Sequence, residues 1–247
     1  MTDQLTADRY DAVLFDLDGV ITDTAAVHAR AWKTMFDAYL RDWSAQRDEP
    51  FAAFTVEGDY KTYVDGKPRY DGVRSFLESR DIDLPDGQPD DDARRHTVCG
   101  LGNRKNELVN RLLDDEGVAV YDGSVRLMHV LRDRGIRLAV VSSSRNCAAV
   151  LRSAGLLDLF EARVDGVVAA ERGLPGKPAP DTFLSAAADL NTTAERAVVV
   201  EDAISGVQAG RDGGFGLVIG VDRDGAAAAL RDNGADVVVA DLSELLT

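Results

Sequence analysis

The chain has 247 residues, 45% hydrophobic and 29% charged, the composition of an ordinary soluble enzyme with room for one large core and a smaller inserted or appended domain. Its net charge is −15 with no basic run or aromatic-basic interleave, which argues against nucleic acid and anionic membrane as partners. There is no apolar run of membrane-spanning length, no signal-peptide pattern, and only Cys99 and Cys147 without metal-ligand spacing, so a reducing cytoplasm is the expected setting.

In chain order, Ala12 to Phe15 reads as a buried parallel strand ending in Asp16-Leu17-Asp18-Gly19. Side chains two apart in an extended segment point the same way, so Asp16 and Asp18 are expected to project together from a strand's carboxyl end. Open α/β sheets bind their ligands there; a strand simply running into an Asp-Gly turn is the plainer alternative. Trp32, Met35, Phe36, Tyr39 and Leu40 then recur at helical spacing, predicting one apolar face through about Arg41. Residues 42–72 read as loops and short helices, Val73 to Arg80 as a helix, and Asp81 to Gly102 as a polar, breaker-rich surface excursion. Arg104 to Gly117 is helical again, and nothing from Ala25 to Gly117 suggests a strand-helix-strand unit.

From Tyr121 onward helix and strand alternate. Helices are expected at Val125 to Arg134, Asn146 to Ala154, Asp181 to Asp189, Ile204 to Asp212 and Ala226 to Arg231. Strands are expected at Arg137 to Val141, Ala162 to Val167, Ala197 to Val200, Phe215 to Val221 and Ala235 to Val239. That alternation predicts an α/β fold, a Rossmann-like parallel sheet with helices on both faces. An α-helical block sits between its first strand and the rest, giving a core of 1–24 and 118–247 with a cap of 25–117 inserted after the first strand.

Four motifs carry chemistry, three of them at strand ends. A carboxylate such as Asp16 can attack phosphorus and split one transfer into two displacements, while Asp18 can shuttle the proton. Two carboxylates this close repel unless a cation or a proton separates them, and the cation expected here is Mg²⁺, a hard ion preferring oxygen. Glu201-Asp202 repeats the pattern after Ala197 to Val200 and offers the remaining carboxylates of a metal site; acids at a helix start are the alternative. Ser142-Ser143-Ser144-Arg145-Asn146 places hydroxyls and N–H donors at another strand end, suited to a phosphate or to plain helix capping. Lys177, in Gly176-Lys177-Pro178-Ala179-Pro180-Asp181, can neutralise charge on a transferring phosphoryl group. Against an acidic surface, Lys67, Arg69, Lys105, Lys177 and a divalent cation are the candidate positive charges of the site.

These motifs resemble motifs I to IV of the haloacid dehalogenase superfamily. The second Asp of motif I resembles its phosphatases and phosphomutases, and Glu201, Asp202, Gly206 and Ala209 meet the wording of motif IV. Phe15 to Lys33 resembles the opening of the β-phosphoglucomutase-like family, a resemblance that spans nearly the whole chain. It implies Asp16 as nucleophile, Asp18 as general acid and base, and Asp16, Asp18, Glu201 and Asp202 as Mg²⁺ ligands. Ser142 and Lys177 would hold the transferring phosphoryl group, with Ser143, Ser144 and Asn146 reaching the substrate.

Thr24, His28 and Trp32 recur every four residues on one helix face, and the resemblance gives Thr24 and His28 a hinge role that positions the acid. Gly66, Lys67, Arg69 and Asp71 stand where that family has a cap loop, with Arg69 matching the grip on the non-transferring phosphate and Lys105 a second contact. Two departures concern the sugar: Asp65 replaces the Lys before the loop Gly, and the cap carries the 81–102 excursion. The implied activity interconverts β-D-glucose 1-phosphate and glucose 6-phosphate through an aspartyl-phosphate and a sugar bisphosphate. A monomer with sugar phosphates as its only partners is expected. The alternatives are a phosphatase with the same core and a catalytically silent metabolite-binding protein.

Overall fold

A computed structural model describes residues 5–223 and 225–246. It divides into two compact units, one of residues 1–23, 66–68 and 118–247, the other of 24–65 and 69–117.

The first unit is built on a six-stranded, all-parallel sheet in the order β3-β2-β1-β4-β5-β6. The strands are β1 (Ala12–Phe15), β2 (Arg137–Val141), β3 (Ala162–Val164), β4 (Ala197–Glu201), β5 (Leu217–Val221) and β6 (Val237–Val239). The four central strands β2, β1, β4 and β5 read as nearly continuous apolar runs because both faces are covered. The order reverses between β1 and β4, which makes a crevice at the carboxyl ends of those two strands. Register puts the carboxylates there: Phe15 lies beside Val200, so Asp16 falls level with Glu201, and the Asp16 N–H donates to the Val200 carbonyl at 2.9 Å.

Helices α4 (Asp122–Asp133), α5 (Cys147–Ser153), α6 (Gly166–Arg172), α7 (Asp181–Asp189), α8 (Ile204–Asp212) and α9 (Ala227–Asp232) belong to this unit. One core cluster joins Leu14, Val141 and Val199 to Phe183 of α7, Val207 of α8 and Leu230 of α9. The expected strand at 162–167 stops at Val164. Asp165 accepts from the N–H groups of Val167 and Val168, both at 3.0 Å, and starts α6 instead.

The second unit holds α1 (Ala25–Ala45), a π-type helix at Val56–Val64, α2 (Arg69–Ser79) and α3 (Val98–Glu116), with no strand among its described residues. Its core is aromatic. Phe36 stacks on Trp32 at 5.4 Å between ring centres and meets Phe76 at 4.2 Å and Phe54 at 5.0 Å. Phe36, Phe54 and Phe76 are fully buried and stabilise the unit by about 1.5–3 kcal/mol each.

Two expectations change in this unit. The excursion is shorter and fastened: α3 begins at Val98, where the Thr97 hydroxyl accepts from the Gly100 N–H at 2.9 Å. Buried Asp91 accepts from the Thr97 hydroxyl at 2.7 Å, the Gln88 N–H at 3.2 Å and Arg95 at 2.7 Å. Asn103 donates to the carbonyls of Pro89 and Asp91, and Arg104 to that of Ala93, tying the loop onto α3. Secondly, residues 66–68 group with the sheet unit. The Ser143 hydroxyl donates to the Gly66 carbonyl at 2.7 Å, and Pro68 packs where a side chain at Gly176 would stand. Gly66 and Lys67 therefore leave the expected cap.

Candidate active site

At the switch point Lys177 reaches between two strands. Its Nζ donates to Asp16 Oδ1, to Glu201 Oε1 and, at 3.3 Å, to the Val141 carbonyl, and it lies 4.9 Å above the Phe183 ring. Asp16, Lys177 and Glu201 are 7%, 3% and 1% exposed, so these charges meet with little water to screen them. Burial works against the Lys177 charge, but the two carboxylates outweigh it and hold the ammonium well above its usual pKa. Burial also pushes the Asp16 carboxyl well up; Lys177 opposes this, and the Glu201 and Asp18 charges add to it.

Asp16, Glu201 and Asp202 bring carboxylate oxygens within 4.8 Å of one another, a set that could hold a metal ion. Three carboxylates against one ammonium leave excess negative charge, and an all-oxygen donor set fits a hard divalent cation. Glu201 is the most committed of the three, because its Oε2 also accepts from the N–H groups of Asp202 and Ala203, both at 3.0 Å. Gly206 is required beneath it, since a Cβ there would collide with the Glu201 carboxylate.

Asp18 is not in that set. The strand ends at Phe15, so the two-residue alternation does not continue, and Asp18 opens a turn with Gly19 at φ +85°. Its charge still reaches Asp16, while the carboxylate cluster itself consists of Asp16, Glu201 and Asp202. Gly19 has a second constraint: a Cβ on it would strike the Asp202 carboxylate.

The serine segment after β2 forms two consecutive side-chain turns. Buried Ser142 accepts from the Ser144 N–H at 3.0 Å and Ser144 from the Asn146 N–H at 3.1 Å, just before α5. The Ser142 hydroxyl acts there as acceptor and keeps its O–H as a donor. The Ser143 hydroxyl donates to the Gly66 carbonyl.

In the helical unit the structure joins three expected residues. Buried Lys105 on α3 lies 3.0 Å from His28 Nδ1 on α1 and 5.0 Å from the centre of the Trp32 ring. Trp32 is 3% exposed and stacked in the aromatic core, where it supports Lys105. Buried Thr24 is the N-cap residue of α1, and the His28 N–H donates to its carbonyl at 2.9 Å. Arg69 opens α2 above the Tyr70 ring at 5.5 Å. Asp71 pairs with Arg74 at 2.8 Å.

The sequence reading overlooked Phe183 beneath Lys177, and Arg223, whose Nε donates to the Gly19 carbonyl at 2.7 Å. A signal was present: Arg223 follows β5 at the same sheet edge where the other motifs end their strands.

A model of the haloacid dehalogenase-like hydrolases matches residues 10–214. The chain is 54% identical over 242 residues to the β-phosphoglucomutase of Mycobacterium tuberculosis, covering 97% of this chain and 92% of that protein. It is 32% identical to the β-phosphoglucomutase of Bacillus subtilis, covering 95% of this chain and 91% of that one. A solved β-phosphoglucomutase from Clostridium difficile shares the fold with a TM-score of 0.75 at 24% identity, covering 96% and 93% of the two chains.

Proposed function

Since the chain belongs to the haloacid dehalogenase-like hydrolases and, within them, to the β-phosphoglucomutase-like family, we propose that it interconverts β-D-glucose 1-phosphate and glucose 6-phosphate with the help of Mg²⁺. The observation that carries this reading is the buried Asp16–Lys177–Glu201 bridge beside Asp202, at the strand ends where the sheet order reverses.

An Asp16 oxygen attacks phosphorus, a P–O bond to Asp16 forms, and the bond to the leaving oxygen breaks as Asp18 delivers a proton to that oxygen. In the return step Asp18 takes the proton of the incoming sugar hydroxyl, and the phosphoryl group moves from Asp16 to it. Lys177, the Ser142 hydroxyl and the N–H groups of the following turn hold the transferring oxygens. Mg²⁺, held by Asp16, Asp202 and Glu201, would offset the charge of the phosphoryl oxygens against these carboxylates. The phosphate that is not reacting is left to Arg69, Lys67 and Lys105, with Ser144 and Asn146 contributing to the sugar. His28 holds Lys105, and Thr24 with His28 sets the start of α1. The enzyme works as a cytoplasmic monomer on small molecules, in keeping with two buried, unpaired cysteines.

The test is β-glucose 1-phosphate with a trace of glucose 1,6-bisphosphate and Mg²⁺, following glucose 6-phosphate and free phosphate together. The expected result is glucose 6-phosphate with little free phosphate. Free phosphate released in step with substrate loss would assign the phosphatase instead.

A further inference from the structure

The turn at residues 17–23, which carries Asp18, lies outside the sheet and owes its shape to other bonds. Part of it closes on itself: the Ile21 and Thr22 N–H groups and the Thr22 hydroxyl donate to the Leu17 carbonyl, and the Gly19 N–H to the Thr22 carbonyl at 2.8 Å. Other bonds reach it from elsewhere in the same unit, among them that of the Asp23 N–H to the Ala119 carbonyl at 2.9 Å. The Ser124 hydroxyl donates to the Val20 carbonyl at 2.6 Å, the Tyr121 N–H to the Ile21 carbonyl at 3.0 Å, and Arg223 Nε to the Gly19 carbonyl at 2.7 Å. The Arg223 bond acts on the residue immediately after Asp18.

Arg223 is itself held firmly. Its guanidinium lies flat enough on Tyr121 to place Cζ 3.5 Å from the ring centre, and Nη1 donates to the Ala240 carbonyl at 3.1 Å with Asp241 3.7 Å away. The Tyr121 hydroxyl in turn donates to Asp23 at 2.8 Å, at the far end of the same turn. A planar fork stacked on a ring and bonded at two nitrogens has little freedom. Gly19 is thus fixed by Arg223 through its carbonyl, while the Asp202 carboxylate fills the space where a side chain would stand.

We propose that Arg223 is a positioning residue that aims Asp18 at the leaving oxygen by pinning Gly19, and so sets the rate for substrates whose leaving oxygen needs a proton. This rests on the reading of Asp18 as the general acid. A displacement of about 1 Å at a reacting group can cost about a hundredfold in rate, so a modest shift of Gly19 is enough.

The experiment compares two phosphoryl donors within each variant. Acetyl phosphate releases a stable acetate that needs no proton; β-glucose 1-phosphate releases a sugar oxygen that does. The ratio of the two rates of phosphoryl transfer to Asp16 does not depend on how much of a variant is folded, so it survives a loss of stability. Arg223→Met should lower the sugar-phosphate rate at least about tenfold more than the acetyl phosphate rate. Arg223→Lys, which restores one donor without the stacked fork, should recover part of the difference. Asp18→Asn should show the same bias more strongly, and adding Arg223→Met to it should change the ratio no further, because both act through one group. Equal losses on both donors in Arg223→Met, or a further change of ratio in the double variant, would overturn the proposal and leave Arg223 as a brace for the fold. An unbiased Asp18→Asn would instead overturn the general-acid reading, and the proposal with it.

Discussion

The two units hold their functional residues by different physics. At the sheet edge, backbone register sets Asp16 level with Glu201, and the side chains are then locked by charge in a dry place, with Lys177 shared between them. In the helical unit the cations sit on an aromatic body: Lys105 lies over Trp32 and against His28, and Arg69 lies over Tyr70. Register is a property of the whole sheet and leaves little room for variation, whereas an aromatic platform can be re-dressed by changing one loop. Chemistry is therefore expected to live in the first unit and choice of substrate in the second.

The harshest way to probe this division is Asp16→Asn, which should abolish turnover of every phosphoryl donor while circular dichroism stays native. More than a trace of activity in the folded variant would remove the covalent step. Lys177→Ala comes next, because it leaves Asp16 and Glu201 facing each other without their cation. A stability loss of about 3–5 kcal/mol is expected in denaturant unfolding, and added Mg²⁺ should recover more of it than it adds to the wild type. An unchanged unfolding midpoint would mean that the bridge contributes nothing.

Arg69→Ala sharpens the comparison from the other unit. It should reduce mutase turnover on β-glucose 1-phosphate by a few kcal/mol of transition-state binding, while Asp16 phosphorylation by acetyl phosphate, which has no second phosphate, stays near normal. If the two reactions fall together, the separation of chemistry from choice fails. Asp91→Asn is expected to be milder still: faster amide hydrogen exchange in residues 88–97 and a lower melting temperature, with acetyl phosphate reactivity retained.

The smallest effect is expected furthest from any site. Arg196 bonds Asp11 through two nitrogens and lowers its pKa from 3.8 to about 2, against a smaller cost of burial and with help from Thr192. A carboxyl depressed in the folded state adds stability that is present above its unfolded pKa and lost as pH falls through the folded one. Asp11→Asn should thus melt slightly below the wild type at neutral pH. The gap should close between pH 3.8 and about 2; a gap independent of pH would show that the ion pair is idle.

The strands were legible because a sheet covered on both faces writes its central strands as apolar runs, and because three of the four motifs sit where such a run stops. The setting of Asp18 was less legible, because the strand ends at Phe15 and Asp18 lies in the turn that follows, where two-residue alternation no longer holds. The start of α3 was missed because Gly100 and Gly102 read as breakers. In the fold they are close-packing positions, Gly100 against the Arg95 carbonyl and Gly102 against Tyr70. The partners of Asp71 and Trp32, Arg74 and the Phe36 ring, are contacts that the motif reading did not draw. The position of Arg223 just after β5 was legible, but its partner was not, since Gly19 lies 204 residues away in the chain.

The three residues 66–68 have a consequence for modularity. Because they group with the sheet unit, the chain passes between the units at 23/24, 65/66, 68/69 and 117/118, four crossings where a simple insertion would need two. A helical unit lifted out as one block, or exchanged for a relative's, takes those residues with it. The recipient sheet would lose the Gly66 carbonyl that occupies Ser143 and the Pro68 ring that backs Gly176, next to Lys177. Chimeras that graft a new substrate preference onto this sheet should therefore keep residues 66–68 native and exchange the helical segments around them as two pieces.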